Sequence, residues 1–387
     1  MNGLAALAPP PGGPFTLRQV QALVYRVALD TPVRTSFGVM HERPALFVRV
    51  QDHDGTEGWG EVWCNFPACG AEHRARLIDT IFAPLLVARP IDNPTGITDE
   101  LAERTAVLAI QSGEFGPLRQ CIAGIDIALW DLAARRAGLP LWRLLGGTSP
   151  EIGVYASGIN PEDPGRTARR CREEGHRAFK LKVGFGERRD LDNVKAMREV
   201  LGGDAVLAVD ANQAWDVDTA IWMAMGMEPF EPAWLEEPLR ADRPWAEWKR
   251  LAAATRVPLA GGENLSGFTQ FDDALAHRAF AVVQPDAAKW GGLSHCLQIG
   301  RRVRASGQRY CPHFLGGGVG LLASAHLLAA VGGDGLLEID INPNPLRALV
   351  CGAAGDVREG RVVLDETPGL GIVPDTAALR AFLVSRN

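Results

Sequence analysis

The sequence predicts a parallel α/β barrel preceded by a separate α+β domain. Three observations carry that expectation. Beyond Gly146–Pro150, short apolar strands alternate with helical stretches: AFKLKV, AVLAVDAN, AWLEEP, PLAGGEN, AVVQPDAAK, RYCPHF and LLEIDIN. Such alternation builds a parallel sheet with crossover helices. Before that point, three strand-like segments are followed by helical ones, as in an α+β unit. The third observation is where the polar residues fall. Lys182, Asp210, Glu236, Glu263, Asp286, His313 and Glu338 each stand at or just past a strand's C-terminal end, 23–28 residues apart. In an eightfold βα barrel those ends converge on one mouth, where active sites lie. A doubly wound sheet is the second architecture, but it would spread the same ends along a line.

Taken in order, residues 1–14 read as a flexible tail, because Pro and Gly cluster from Pro9 to Pro14. VQALVYRVAL and ALFVRVQDHDGTEGWGEV read as strands, with Asp54-Gly55 as the turn between the second and third. TPVRTSFGVMHERP lies between the first two strands and is expected to be a loop. From Glu72 to Arg136 the pattern is helical. Its best stretch is CIAGIDIALWDLAARRAG, with Gly138 as the C-cap.

Composition narrows the function classes. A chain of 387 residues is too long for one ordinary compact domain. Its net charge of −6 and lack of a basic block argue against nucleic-acid binding. No apolar run of about 18 residues is present, so no membrane span is expected. The start lacks a basic region before its apolar stretch and is a poor signal peptide. Seven cysteines with no C-x-x-C pair argue against a disulfide framework or a zinc knuckle. A reducing cytoplasm is the expected compartment.

The strand ends define a chemistry. Asp210, Glu236 and Glu263 come from three successive strands, and three converging carboxylates repel unless a cation sits among them. All-oxygen ligation suits Mg²⁺. Lys180 and Lys182 form K-x-K on one face of one strand. A lysine buried near cations has a lowered pKa and serves as a base. His313 is the only one of eight histidines to end a strand in this series. Asp286 ends the strand before it and can orient the imidazole. Glu338 could donate a hydrogen bond if protonated, or anchor the substrate. Three carboxylates with Mg²⁺ sum to −1, and the lysines and His313 offset this, which favours an anionic ligand. A substrate carboxylate on the metal is the natural candidate, and the arrangement would stabilise the enediolate formed on loss of its α-proton. GGGVG at 316–320 is not a G-x-G-x-x-G phosphate loop and reads as a loop-to-helix turn.

The ordered set KLK at 180–182, VDAN at 209–212, LEEP at 235–238, GEN at 262–264, PDAAKWGG at 285–292, PHF at 312–314 and LEID at 337–340 resembles the enolase superfamily, and within it the mandelate racemase subgroup. IAGIDIALWDLAARRAGLPLWRLLGG at 122–147 resembles the family's linker region. The resemblance implies a modified (β/α)7β TIM barrel over 148–345 and an α+β capping domain over 15–147. It places residues 346–387 back on the cap. It implies Asp210, Glu236 and Glu263 as Mg²⁺ ligands, with Glu237 behind them. Lys182, with Lys180 beside it, would act on one face of the substrate and His313, oriented by Asp286, on the other. Glu338 would hydrogen-bond a carboxylate oxygen, with Asn212 and Lys289 nearby. The cap loops TSFGVMHERP and GEVWCNFPACG would close over the substrate, making Arg34, Trp63 and Asn65 specificity candidates. A homo-oligomer is implied as well.

Three functions follow. The first is a Mg²⁺-dependent acid-sugar dehydratase. The second keeps α-proton abstraction but ends in epimerisation, racemisation or lactone cycloisomerisation. The third is a barrel that binds a carboxylate without turnover.

Overall fold

The computed structural model describes residues 7–36 and 38–384, with the side chains of residues 31, 34 and 35 outside the description. A four-stranded antiparallel sheet is built from β1 (Phe15–Thr35), β2 (Gly38–Asp52), β3 (Glu57–Val62) and β4 (Pro90–Ile91), in the order β3-β2-β1-β4. The longer helices that accompany it are α1 (Gly70–Leu77), α2 (Pro94–Ser112) and α3 (Phe115–Arg136). Gly138 ends α3 with φ +66°, and Leu139 N–H returns to the Ala134 carbonyl at 3.0 Å, as expected of a glycine stop.

The expected loop between the first two strands is instead a ribbon. Val33 pairs with Met40, Arg34 with Val39 and Thr35 with Gly38. Val33 and Met40 are buried, so the β-branched and apolar residues inside TPVRTSFGVM outweigh its turn formers. The described part of the expected tail is also held. The Asn93 amide donates to the Leu7 carbonyl at 2.7 Å, and Pro10 is buried; residues 1–6 lie outside the described residues.

The second sheet runs β11-β10-β9-β8-β7-β6-β5-β12, parallel throughout. Its strands are β5 (Glu151–Ile159), β6 (Ala178–Lys182), β7 (Val206–Asp210), β8 (Leu235–Glu236), β9 (Leu259–Gly261), β10 (Val282–Val283), β11 (Arg309–Tyr310) and β12 (Leu336–Asp340). The strand β5 was not among the segments read from the sequence. Helices α4 (Pro164–Glu173), α5 (Glu187–Leu201), α6 (Val217–Met227), α7 (Trp245–Ala254), α8 (Phe268–His277), α9 (Gly292–Ala305) and α10 (Gly318–Val331) alternate with these strands. The eight strands nearly close into a barrel. At the seam between β11 and β12 a Cβ on Gly335 would lie 2.0 Å from the Tyr310 carbonyl oxygen. The backbones therefore touch there without a ladder. The barrel floor is filled by Tyr155, Ala178, Ala208, Trp234, Ala260, Val282 and Cys311. All seven cysteines are free thiols.

Residues 346–384 first add β13 (Arg361–Val363) antiparallel to β5. The chain then reaches the cap, where Leu370 N–H donates to Asp131 at 2.7 Å and Val384 N–H to the Val24 carbonyl at 2.9 Å. Among the described residues no helix is long and apolar enough to cross a membrane.

Candidate active site

Each strand ends with its polar residue because the apolar strand interior stops where the barrel opens. β6 and β7 pair in register, so Lys182 stands beside Asp210; Asp210 in turn stands beside Glu236 of β8. Lys180 lies two residues below Lys182 and is fully buried. Its ammonium lies 2.6 Å from Glu236, 2.7 Å from Glu338 and 3.7 Å from Asp210. It also sits over the Tyr155 ring. Lys182 is less enclosed and donates to Asp210 at 2.5 Å and to Asn212 Oδ1 at 2.9 Å.

On the other wall, His313 Nδ1 is 2.7 Å from Asp286 and Nε2 is 2.8 Å from Glu263. This is the dyad expected from the sequence. The two flanking carboxylates, with Glu338 3.9 Å away, hold the imidazole up to about 10 against burial, which pulls it down. Glu338 is held by the Ser157 hydroxyl and by Phe314 N–H at 3.2 Å. Burial opposes its ionisation, but Lys180 and His313 outweigh it and hold the carboxyl down at about 2. It stands as an ionised anchor in this arrangement rather than a protonated donor.

Lys289 reaches Glu263 at 3.0 Å and Asn264 at 3.3 Å, under the ring of Trp63 from the cap. Asn65 does not face this cluster; its amide donates to the Leu315 carbonyl at 2.7 Å. The backbone of Arg34 is in the ribbon of β1, while its side chain lies outside the described residues. Ser36 beside it donates to the Asn212 carbonyl at 2.9 Å, so the ribbon touches the barrel mouth.

The backbone is strained where the ends turn inward. Asn212, Gln213 and Glu237 have φ of +44°, +65° and +37°, a region that non-glycine residues adopt at a cost of roughly 1–3 kcal/mol each.

The expectation that Lys182 titrates low needs correction. Burial does lower it and Lys180 lowers it further, but the adjacent Asp210 carboxylate raises it by more. The three proposed ligands are likewise each turned toward a cation of the chain. Among the described residues no three acidic or imidazole side chains surround one point. The donor set nevertheless fits a hard divalent ion. Burial together with Asp210, Glu338 and Glu263 pushes Glu236 up to about 7, even with Lys180 beside it. Glu237 is raised by burial and by Glu263. Gln284 donates to Glu236 at 2.6 Å while its own carbonyl oxygen is buried without a partner. A divalent cation among Asp210, Glu236 and Glu263 would relieve that negative charge and offset the Asp210 and Glu236 carboxylates that raise Lys182.

Sequence reasoning missed Ser157, Gln284, Trp234 and Tyr155, which surround Lys180, Glu236 and Glu338. Ser157 and Tyr155 belong to the unread strand β5, whose alternation in EIGVYASGI was the available signal.

Comparison with known proteins agrees with this geometry. A profile described as the mandelate racemase/muconate lactonizing enzyme N-terminal domain matches residues 18–146. One described as enolase C-terminal domain-like matches residues 164–378. The chain is 31% identical to a D-galactarolactone cycloisomerase of Agrobacterium fabrum, over 92% of this chain and 95% of that one. It is 33% identical to an L-talarate/galactarate dehydratase of Salmonella typhimurium, over 87% and 81% respectively. A solved mandelate racemase/muconate lactonizing enzyme from Bordetella bronchiseptica superposes with TM-score 0.91 at 57% identity, covering 95% of this chain and 99% of that one. A racemase from Streptomyces coelicolor, solved with bound magnesium, superposes at 0.85 with 29% identity, covering 95% and 100%. The barrel with its cap, the carboxylate series and these matches agree: the chain belongs to the mandelate racemase/muconate lactonizing enzyme family of the enolase superfamily.

Proposed function

We propose that the protein is a Mg²⁺-dependent acid-sugar dehydratase that removes the α-proton of a small hydroxy-carboxylate and then expels its β-hydroxyl. The observation that carries this reading is the two-walled site, with Lys182 on one side and the Asp286–His313 dyad on the other. Asp210, Glu236 and Glu263 would hold Mg²⁺, which when bound would supply Lewis-acid stabilisation of negative charge on a substrate carboxylate. Lys182 Nζ takes the α-proton on its face of the substrate. His313 Nε2 delivers a proton to the departing hydroxyl on the other face, while Asp286 keeps the proton on Nδ1 and fixes the ring. Lys180, locked between Glu236 and Glu338, supplies positive charge next to the forming enediolate. Asn212 and Lys289 line the substrate's position. Trp63 holds Lys289 from the cap side.

Lactone cycloisomerisation is the second reading. It uses the same first step, and a cycloisomerase matches over more of its own length than the dehydratase does. Val107, Ile110 and Phe115 are exposed where α2 gives way to α3. They support a homo-oligomer, which light scattering tests.

A pooled acid-sugar screen in D₂O with Mg²⁺, read by proton NMR and mass spectrometry, decides among these readings. Water loss with formation of a 2-keto acid supports the dehydratase. Deuterium at the α-carbon without water loss points to epimerisation or cycloisomerisation. Lys182→Ala and His313→Asn should each lower net turnover by about 10²–10⁴-fold while circular dichroism stays unchanged. A folded single variant with near-normal rates would remove the assigned role. Glu236→Gln should weaken Mg²⁺ binding in calorimetric titration; an unchanged titration would exclude it as a ligand.

A further inference from the structure

The glycine-rich stretch GGGVG, which opens α10, is not used by the mechanism, and the structure shows what it holds. The carboxylate of Glu61, at the end of cap strand β3, accepts from Gly317 N–H at 2.5 Å and Gly320 N–H at 2.7 Å. Glu61 is buried. A Cβ at Gly316, Gly317 or Gly320 would come within 2.7, 3.0 or 3.2 Å of its carboxylate oxygens. The glycines therefore make room for a protein carboxyl group at a helix N-terminus, where burial pushes Glu61 up to about 7 and the Gly320 and Gly317 N–H groups pull the other way.

The segment so held is the one that follows His313. Phe314 N–H is bound by Glu338, the Leu315 carbonyl by Asn65, the Gly316 carbonyl by Asn344 and Gly317 N–H by Glu61. Two of those four holds come from the cap, from residues four apart. Between them, Trp63 N–H donates to the Ala288 carbonyl at 3.2 Å, two residues after Asp286. One short stretch of the cap, Glu61 to Asn65, thus grips both loops of the His313–Asp286 dyad. No residue of this stretch bonds to the strand carrying Lys182.

We propose that Glu61, assisted by Asn65, is a positioning residue for His313: it sets the dyad's wall of the site from the cap without touching substrate. This rests on the two-walled reading above. A glutamine at position 61 keeps the size but offers one acceptor and one donor to two N–H groups. One of Gly317 and Gly320 then loses its partner and faces a donor. A misplacement of about 1 Å at a catalytic group costs about 10²-fold in rate.

The experiment uses the full-length Mg²⁺-loaded enzyme and the acid sugar turned over in the screen, in D₂O. Among its epimers, the one chosen is that whose α-proton His313→Asn still exchanges, since that proton faces Lys182. On it, E61Q should keep wild-type α-deuterium incorporation while product formation falls about 10²-fold. N65A, which removes only the bond to Leu315, should show the same split more weakly. Equal loss of incorporation and product in both variants would show general damage to the site and overturn the proposal. Unchanged product formation in E61Q, with His313→Asn inactive, would overturn it as well. If His313→Asn itself keeps turnover, the two-walled reading fails instead, and the two failures are distinct.

Discussion

Lys180 and Lys182 are two residues apart on one strand, and the structure gives them different work. Lys180 is fully buried among Glu236, Glu338 and Asp210, with no room to approach a ligand freely. Lys182 keeps part of its side chain at the opening, beside Asp210 and Asn212. Replacing Lys180 by Met leaves buried carboxylates without their partner, which costs about 3–5 kcal/mol. Lys180→Met should therefore lower the denaturation midpoint in urea by more than Lys182→Ala, which removes a partner from Asp210 alone. Equal stability losses would contradict the division. Gln284 orients Glu236 from behind. Gln284→Leu should weaken Mg²⁺ affinity by about 10–100-fold in the same calorimetric titration. The charged residues at strand ends were legible in the sequence because each interrupts an apolar run at a regular interval. Gln284 and Ser157 were not, because an ordinary polar residue next to a strand end has many surface explanations and only the assembled barrel shows what it meets.

Among the elements, the join of cap and barrel depends on acids that seat on backbone amides. Asp126 of α3 accepts from Leu293 N–H at 2.7 Å and Ser294 N–H at 3.0 Å, at the start of α9. Within the cap, Asp131 of α3 likewise accepts from Trp59 N–H at 2.8 Å, and it ties in the C-terminal segment through Leu370 N–H at 2.7 Å. Glu61 does the same at α10. The helix α3 also runs against β3 at unusually short range. A Cβ on Gly60 would lie 2.0 Å from the Gly124 carbonyl oxygen, and one on Gly124 2.4 Å from Val62. Gly60→Ala should thus destabilise the fold by about 1–3 kcal/mol or more, read as a lower midpoint in chemical denaturation. An unchanged midpoint would mean the two elements can part at no cost. The helix itself was plain in its periodicity. Its acids gave no sign of their partners, since those partners are backbone groups some 70 to 240 residues away. The β1–β2 ribbon was misread for a related reason: its extension over residues 33–35 and 38–40 depends on cross-strand pairing, which a local reading of turn formers does not weigh.

For the molecule as a whole, sensitivity to acid is expected from buried histidines, His326 and His176, which burial pushes down to about 4. His326 is buried within α10, accepts from Trp142 N–H at 2.9 Å, and is pushed down to about 4 from an ordinary 6.5 by burial. Its folded pKa lies below the unfolded one, so the unfolded chain binds the extra proton first. The stability it contributes is complete above pH 6.5 and is lost as pH falls toward 4. The full shift amounts to on the order of 3 kcal/mol. Comparing denaturation midpoints at neutral pH and at pH 5 should show a smaller drop for His326→Gln than for the unaltered chain. An equal drop would assign the acid sensitivity elsewhere. The overall architecture was legible because one interval, a strand and a helix, repeats around the barrel. How the last turn closes was not, because that depends on which backbones meet.

That closure makes the two walls of the barrel mechanically unlike. Lys182 and Asp210 sit on β6 and β7, which are laddered through five consecutive residue pairs. His313 and Glu338 lie on either side of the β11–β12 seam, where Gly335 touches Tyr310 and the bonds across involve side chains: Phe314 N–H to Glu338 at 3.2 Å, Arg309 to the Asp334 carbonyl at 2.6 Å and Leu336 N–H to the Cys311 sulfur at 3.4 Å. A small shear along the seam breaks no ladder, whereas the same shear between β6 and β7 breaks several bonds at once. The lysine wall is held by a backbone ladder and the histidine wall by side-chain bonds, so a change of side chain can shift the histidine wall without undoing the barrel.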